Sequence, residues 1–295
     1  MIVNGVAVED TFAEAFGMKA TRLVITADTL AWAHTAAAAM TGFATSVIAC
    51  GCEAGIERAL APAETPDGRP GVAVLVFAMS LKDLQKQVSD RVGQCVMTAA
   101  GSACFSGLDG GESLRLGGAL RYFGDGFQIA KKFGDRRYWR LPVMDGEFIC
   151  EDVVGTASGV GGGNFLVLAA SRAAALAGSE AAVAAMRALP NIILPFPGGI
   201  VRSGSKVGSK YSGLKASTND AYCPTLKGQT RTALAPAVEA VLEIVIDGLT
   251  AADIAAAMRA GIAAACAQAG VLAITAGNYG GKLGKHHFHL REIMA

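Results

Sequence analysis

The chain predicts an α+β fold built from two similar halves, and three observations carry that prediction. Glu9-Asp10 recurs as Glu151-Asp152, 142 residues on, each pair a few residues after Asn4-Gly5 or Asp145-Gly146 and a short apolar run. Strand candidates Arg22–Ala27 (RLVITA) and Phe165–Ala170 (FLVLAA) stand 143 apart at Val24 and Val167, each followed by an alanine-rich helical stretch. Ser80-Leu81-Lys82-Asp83 and Thr250-Ala251-Ala252-Asp253 both have the form S/T-x-x-D, in which a hydroxyl caps free amides and a carboxylate meets the positive end of a helix.

The remaining elements follow in order. The first helices run from Thr29 to Met40 and from Ala173 to Ala188, and short strands follow at 45–50 (TSVIAC) and 191–194 (NIIL). Strands Val72–Phe77 and Val241–Ile246 lead into the capped helices, where Leu81, Leu84, Val88 and Val92 form one apolar face and Ile254, Met258 and Ile262 another. Last strands are expected at 95–99 (CVMTA) and 271–275 (VLAIT). Each half thus reads as a ferredoxin-like βαββαβ lobe from an internal duplication, the first over 1–143 and the second over 144–295. Between the two blocks the offset grows from 143 to 170, a gain of 27 residues that falls in a glycine- and serine-rich insertion at about 195–238.

Composition narrows the function classes. Hydrophobic residues make up 52% and charged ones 17%, enough apolar surface for a large core and for contacts between subunits. A net charge of +1 removes a general attraction to nucleic acid or to anionic membranes. No apolar run approaches the roughly 18–20 residues of a membrane span, and the acidic N-terminus lacks the pattern of a secretory leader, so a cytoplasmic protein is expected. The seven cysteines sit in apolar stretches, and Cys50-Gly51-Cys52 has no matching second pair, which favours reduced thiols over structural zinc.

The sharpest chemical feature is Glu243, a lone acid within the strand AVLEIVIDGL at 240–249. Alternation puts it on one face with Val241 and Val245, while Leu242, Ile244 and Ile246 cover the other. An ionised carboxylate is costly in an apolar site, so burial would keep Glu243 protonated and able to donate a hydrogen bond or a proton. The competing reading is a half-exposed strand with the acid in water. Aligning the capped helices sets Ala73 opposite Glu243, so the first half does without the acid.

Other groups could bind a ligand. Arg202, Ser205, Lys206, Lys210 and Lys215 lie in an acid-free glycine-rich stretch that offers amides, hydroxyls and cations to carboxylate or phosphate groups. Asn219, Asp220 and Tyr222 follow, with groups that suit a heterocycle. Asn164-Phe165 and Asn278-Tyr279 each place Asn beside an aromatic at a glycine-rich junction, where a tight turn is the alternative. His286, His287 and His289 lack an acidic or thiol partner nearby, and a surface or interface role is preferred to a metal site. No nucleophile motif or P-loop is present.

Several segments together resemble the formylmethanofuran:tetrahydromethanopterin formyltransferase family. They are DTFAEAF (10–16), TPDGRPGV (65–72), FGDG (123–126), GGNF (162–165), PFPGGIVRSGSKVGSK (195–210), ASTNDAYCPT (216–225), EIVIDGL (243–249) and AGNYGGKLG (276–284). The resemblance covers nearly the whole chain. It implies a two-lobed α+β fold and no metal or prosthetic group, with tetrahydromethanopterin and methanofuran or methylofuran as co-substrates. It further implies a homotetramer, as in archaea, or the D subunit of a formyltransferase/hydrolase complex, as in methylotrophic bacteria, where formaldehyde is oxidised to formate. The family's proposed catalytic glutamate falls on Glu243. The segment Phe127–Arg140 departs from the archaeal pattern by being more basic.

The reaction so implied is formyl transfer to N5 of the pterin within a ternary complex, with Glu243 as the acid and Arg202, Lys206, Lys210 and Lys215 holding an anionic coenzyme tail. Two rivals remain at this stage: a non-catalytic assembly or coenzyme-binding subunit, and a hydrolase of the formylated furan coenzyme.

Overall fold

The computed structural model describes residues 1–295. Strand β1 (Val6–Val8) leads to β2 (Phe12–Thr26), whose alternating residues Leu23 and Ile25 are fully buried. Thr29 caps helix α1 (Leu30–Thr41) by accepting from the Trp32 amide. Strands β3 (Glu53–Leu60) and β4 (Gly71–Ala78) follow, then helix α2 (Leu81–Arg91), capped by Ser80, and strand β5 (Ala103–Ser106). Pairing gives the order β5-β2-β4-β3. A basic hairpin, the exposed β6 (Ile129–Phe133) with β7 (Arg136–Val143), and strand β8 (Gly146–Glu151) extend this sheet beyond β5.

The second half repeats the plan. Strand β9 (Ala157–Ala169), helix α3 (Arg172–Met186), strand β10 (Ile192–Ile193), strand β11 (Ala240–Gly248), helix α4 (Ala251–Cys266) and strand β12 (Val271–Thr275) pair in the order β12-β9-β11-β10. A last strand, β13 (His286–His289), pairs with the start of β2. Each unit packs its helices on one face of its four strands. The first core joins Leu23, Val74 and Val76 to Ala37, Met40, Leu84 and Val88, and the second joins Phe165, Val167, Ile244 and Ile246 to Met186, Ile254 and Met258.

The two sheets are one. The first residues of β9 pair with β2, from Ala157↔Ala20 to Gly161↔Phe16, and its later residues pair with β11 and β12. The strand bulges between Val160 and Gly163 as it changes partners. A Cβ at Gly161 would lie 2.1 Å from the Met18 sulfur and 3.0 Å from Asp247 Oδ1, so any side chain there would displace Met18. Edge strands cross between units: β1 runs parallel to β12, while β8 runs parallel to β5.

Two expected strands are not where the sequence pattern put them. The segment at 45–50 forms a single helical turn, Val47–Cys50, capped by Ser46 and stopped by Gly51 in the left-handed region; the strand starts at Glu53. The segment at 95–99 continues from α2 as a wide turn, Val92–Val96, and the strand begins at Ala103. Leu84, Val88, Val92 and Val96 are all fully buried at a spacing of four, so the apolar residues of 92–96 belong to the helix face rather than to an alternating strand.

Candidate active site

Glu243 sits in the middle of β11, opposite Leu166 of β9. Partners across an antiparallel pair share a face, so Glu243 shares its face with Leu166, Leu168 and Val241, away from the helices. The insertion returns over this face: Tyr222, Leu234 and Val238 pack against Leu166 and Leu168. On the other edge of β11, Val201 exchanges both backbone hydrogen bonds with Glu243, at 2.7 and 2.9 Å. The acid is half-buried, no hydrogen bond within the protein takes its carboxyl, and burial pushes its pKa up to about 7. Ala73 occupies the equivalent helix-free face of the first unit, packed with Val24 and Leu60.

Tyr279 lies in the loop that follows β12, whose Thr275 pairs with Leu166, the residue opposite Glu243. Burial, the charge of Glu243 and the charge of Glu14 together push its phenol up, so it remains a hydrogen-bond donor. Its ring tilts against Phe16 at 6.2 Å. Asn164, on the Glu243 face of β9, accepts from the Gly277 amide at 2.6 Å and donates to the Gly277 and Gly162 carbonyls. Asn278 donates to the Phe12 carbonyl and the Thr11 hydroxyl and accepts from the Gly280 amide. Both asparagines therefore hold the 277–281 turn, and their polar atoms are engaged inside the protein. Phe165 points the other way, fully buried in the helix-facing core, so the expected ligand contact from its ring is not made.

The basic residues are spread out. Lys206 belongs to a two-stranded ribbon, Lys206–Val207 with Ala216–Ser217, and forms an ion pair with Asp220, whose carboxyl it holds below the usual range. Ser205, Lys210 and Lys215 are exposed on and beside this ribbon, and neither lysine has a carboxylate partner. Asn219 offers its carbonyl to Tyr222 N–H and to the Cys223 thiol. Arg202 lines an open cavity of about 980 Å³ with Arg172, Leu176, Phe196 and Leu242. The lining takes in Val201 and residues from both faces of β11, Val241 as well as Leu242, so Arg202 stands at the strand's edge, one residue after the bridge partner of Glu243.

Two acidic features escaped the sequence reading. Glu14 is 1% exposed yet ionised, with four backbone amides around it. Burial alone would raise its pKa, but the bonds from Gly284, Tyr279, Leu283 and Gly281 overcome this and hold it at about 2. Its only sequence signal is an acid inside the apolar run FAEAF. Asp247 is fully buried on the same face of β11 as Glu243 and shares a hydrogen bond with Glu53 of the first unit. Burial, then the Glu53 charge, drives Asp247 well above the ordinary range, and burial raises Glu53 as well, so the pair favours keeping a proton. No cluster of three or more His, Cys, Asp or Glu suits a metal ion, and His287 and His289 tilt against Phe12 on an exposed strand.

A two-unit α+β chain with an unpartnered acid, raised to about 7, on the open face of a shared sheet has the form of a protein that transfers a group between two bound molecules. The family described as formylmethanofuran-tetrahydromethanopterin formyltransferase matches residues 1–143, and its proximal-lobe description matches residues 146–293, so the chain belongs to that family. It is 67% identical to the formylmethanofuran--tetrahydromethanopterin formyltransferase of Methylococcus capsulatus, over 100% of both chains. Among solved structures it is similar to a chain of the Methylorubrum extorquens formyltransferase/hydrolase complex with methylofuran, with a TM-score of 0.97 and 57% identity over 100% of this chain and 99% of that one. The Methanosarcina barkeri formyltransferase gives a TM-score of 0.95 at 48% identity, over 99% of this chain and 100% of the other.

Proposed function

We propose that this chain is an enzyme that moves a formyl group between N-formylmethanofuran, or formyl-methylofuran, and N5 of tetrahydromethanopterin. The observation that carries the reading is Glu243, half-buried, unpartnered and raised to about 7 on the helix-free face. In a ternary complex the N5 lone pair forms a bond to the formyl carbon while the carbonyl π pair moves to oxygen. Protonated Glu243 donates a hydrogen bond to that oxygen. Collapse breaks the bond to the furan amine; Glu243 gives its proton to the departing nitrogen and takes one from N5, so protons balance. Holding both coenzymes in line supplies about 7–11 kcal/mol of the barrier in such reactions.

The matching strand orders of the two halves support reading them as ferredoxin-like lobes from an internal duplication, 1–143 and 144–295, with the insertion at about 195–238. Arg202, Lys206, Lys210 and Lys215 are read as the holders of anionic coenzyme tails, and Ser205, Asn219, Asp220 and Tyr222 as their polar neighbours. No helix is long and apolar enough to cross a membrane, which fits a cytoplasmic enzyme of one-carbon metabolism. It assembles either with itself or as the D subunit of a formyltransferase/hydrolase complex, as the Methylorubrum extorquens relative does.

The test is an assay of the purified chain with both coenzymes and with the formylated furan coenzyme alone. Formyl-tetrahydromethanopterin formed only when both are present is the expected result. Release of formate from the furan coenzyme alone indicates a hydrolase, and binding without turnover a carrier subunit; either result overturns the proposal.

A further inference from the structure

The loop between β12 and β13 is folded around a charge. Glu14 Oε2 accepts from the Tyr279 and Gly281 amides at 2.7 and 2.8 Å, and Oε1 accepts from Leu283 and Gly284 at 2.6 Å each. Four donors on one carboxylate satisfy an ionised group that the interior would otherwise reject. Gly280 and Gly281, at φ +71° and +72°, turn the backbone so that alternate amides face inward. Gly284 admits no side chain, because a Cβ would lie 2.8 Å from Glu14 Cγ and 2.5 Å from the Ala15 carbonyl oxygen. The loop has few apolar anchors of its own, since Leu283 is exposed and Tyr279 is 38% exposed. The buried carboxylate takes the place of a core.

We propose that Glu14 is a positioning residue of the formyl-transfer site: by gathering the amides of 279, 281, 283 and 284 it fixes the Tyr279 phenol beside Glu243, where that phenol donates a hydrogen bond to the formyl oxygen. The inference rests on the formyltransferase reading above. Tyr279 keeps its proton throughout, sharing it with the oxygen as negative charge develops there, while Glu243 carries the proton that moves. A neutral amide cannot replace Glu14, because its NH₂ would face two of the four backbone donors. Asn164 anchors the start of the loop at Gly277, and Glu14 sets its remainder.

The test compares Glu14→Gln, Tyr279→Phe and the double variant in the full chain with both coenzymes. Each single variant is expected to lower kcat by about ten- to a hundredfold, with KM for either coenzyme within about threefold. The double variant is expected to fall no more than about twofold below the worse single one, because Glu14 acts through Tyr279. Losses that multiply overturn the proposal, as does a Tyr279→Phe enzyme near wild-type kcat. Glu14→Asp, which keeps the charge but shortens the reach, is expected to recover part of the Glu14→Gln loss. If Glu14→Gln does not fold, Glu14→Asp takes its place in the cycle. Amide exchange in the unaltered protein then gives a second check: the amides of Tyr279, Gly281, Leu283 and Gly284 should exchange far more slowly than that of Lys282, and equal rates overturn the clamp. A Glu243→Ala enzyme with normal turnover removes the formyltransferase reading itself. An inactive Glu243→Ala enzyme beside a normal Tyr279→Phe enzyme removes only the Glu14 proposal.

Discussion

Val201 and Glu243 exchange both of their backbone hydrogen bonds as an isolated antiparallel bridge. The insertion thus joins β11 at the one residue whose carboxyl is free. A proline at 201 keeps an extended φ but removes the donor of the 2.7 Å bond. Val201→Pro is expected to lower kcat by on the order of tenfold with a small change in melting temperature, whereas Val201→Ala keeps both bonds and stays within about threefold. Steady-state kinetics on the two variants, with a thermal melt of each, check this.

The acid itself gives a stronger test. Glu243→Ala removes donor and proton together and is expected to cost on the order of 10²–10³ in kcat. Glu243→Gln keeps a donor but cannot deliver a proton, so it should fall between Ala and wild type. Near-normal turnover in the Ala variant with both coenzymes bound would remove Glu243 from the mechanism.

Glu243 also sets a pH dependence. Its folded pKa is raised to about 7 from an ordinary 4.5, so the protonated form dominates below 7 and is lost above it. Turnover that needs the neutral acid should decline on an alkaline limb with a midpoint near 7, provided chemistry limits the rate. The limb should be missing in the residual rate of Glu243→Gln. A wild-type profile flat from pH 6 to 9 would show that protonated Glu243 is not required.

The Glu53–Asp247 pair predicts a stability effect of the same sign. Asp247 is raised in the folded state, so its contribution is complete below its ordinary value of 3.8 and is lost as pH rises through the folded value. Asp247→Asn can accept from the Gly162 amide and donate to Glu53, as the protonated acid does. The variant should match wild type in denaturant unfolding near pH 4 and exceed it at pH 8. A variant that is less stable at pH 8 would show that the pair is not protonated.

Charge in the insertion is expected to act through ionic strength. Lys210 and Lys215 have no carboxylate partner, so reversing either leaves internal pairs intact, while Lys206→Glu also repels Asp220. Lys210→Glu should raise the apparent KM of an anionic coenzyme several-fold at low salt and much less near 1 M, where the screening length falls to about 3 Å. An unchanged KM across salt would assign the ribbon another task.

Much of this arrangement was legible in the residues because it is local. The hydroxyl caps at Ser80 and Thr250, the strand at 271–275 and the acid at 243 all declare themselves within a few positions of sequence. The comparison with Ala73 also holds in space, since both residues lie on helix-free faces. The strands at 53–60 and 103–106 were misplaced because short apolar runs suit a buried helix face as well as a strand. An Asn beside an aromatic at a glycine-rich junction suggests a ligand contact from both Asn164 and Phe165, but within a strand alternation sends Phe165 to the face opposite Asn164. Glu14 and the Glu53–Asp247 pair were invisible for a different reason. Their partners are 265 and 194 residues away, brought close only when the sheets join.

The long strand β9 has a consequence for how the protein takes up and lets go of large coenzymes. Because it is hydrogen-bonded to β2 at one end and to β11 and β12 at the other, the two units cannot rock against each other without breaking a sheet. The insertion is held to that sheet twice, by the Val201 bridge to Glu243 and by Leu234 and Val238 packed on Leu166 and Leu168. Two large coenzymes must therefore meet on a frame that is already assembled, so the protein's part in the reaction is alignment rather than closure of one unit on the other.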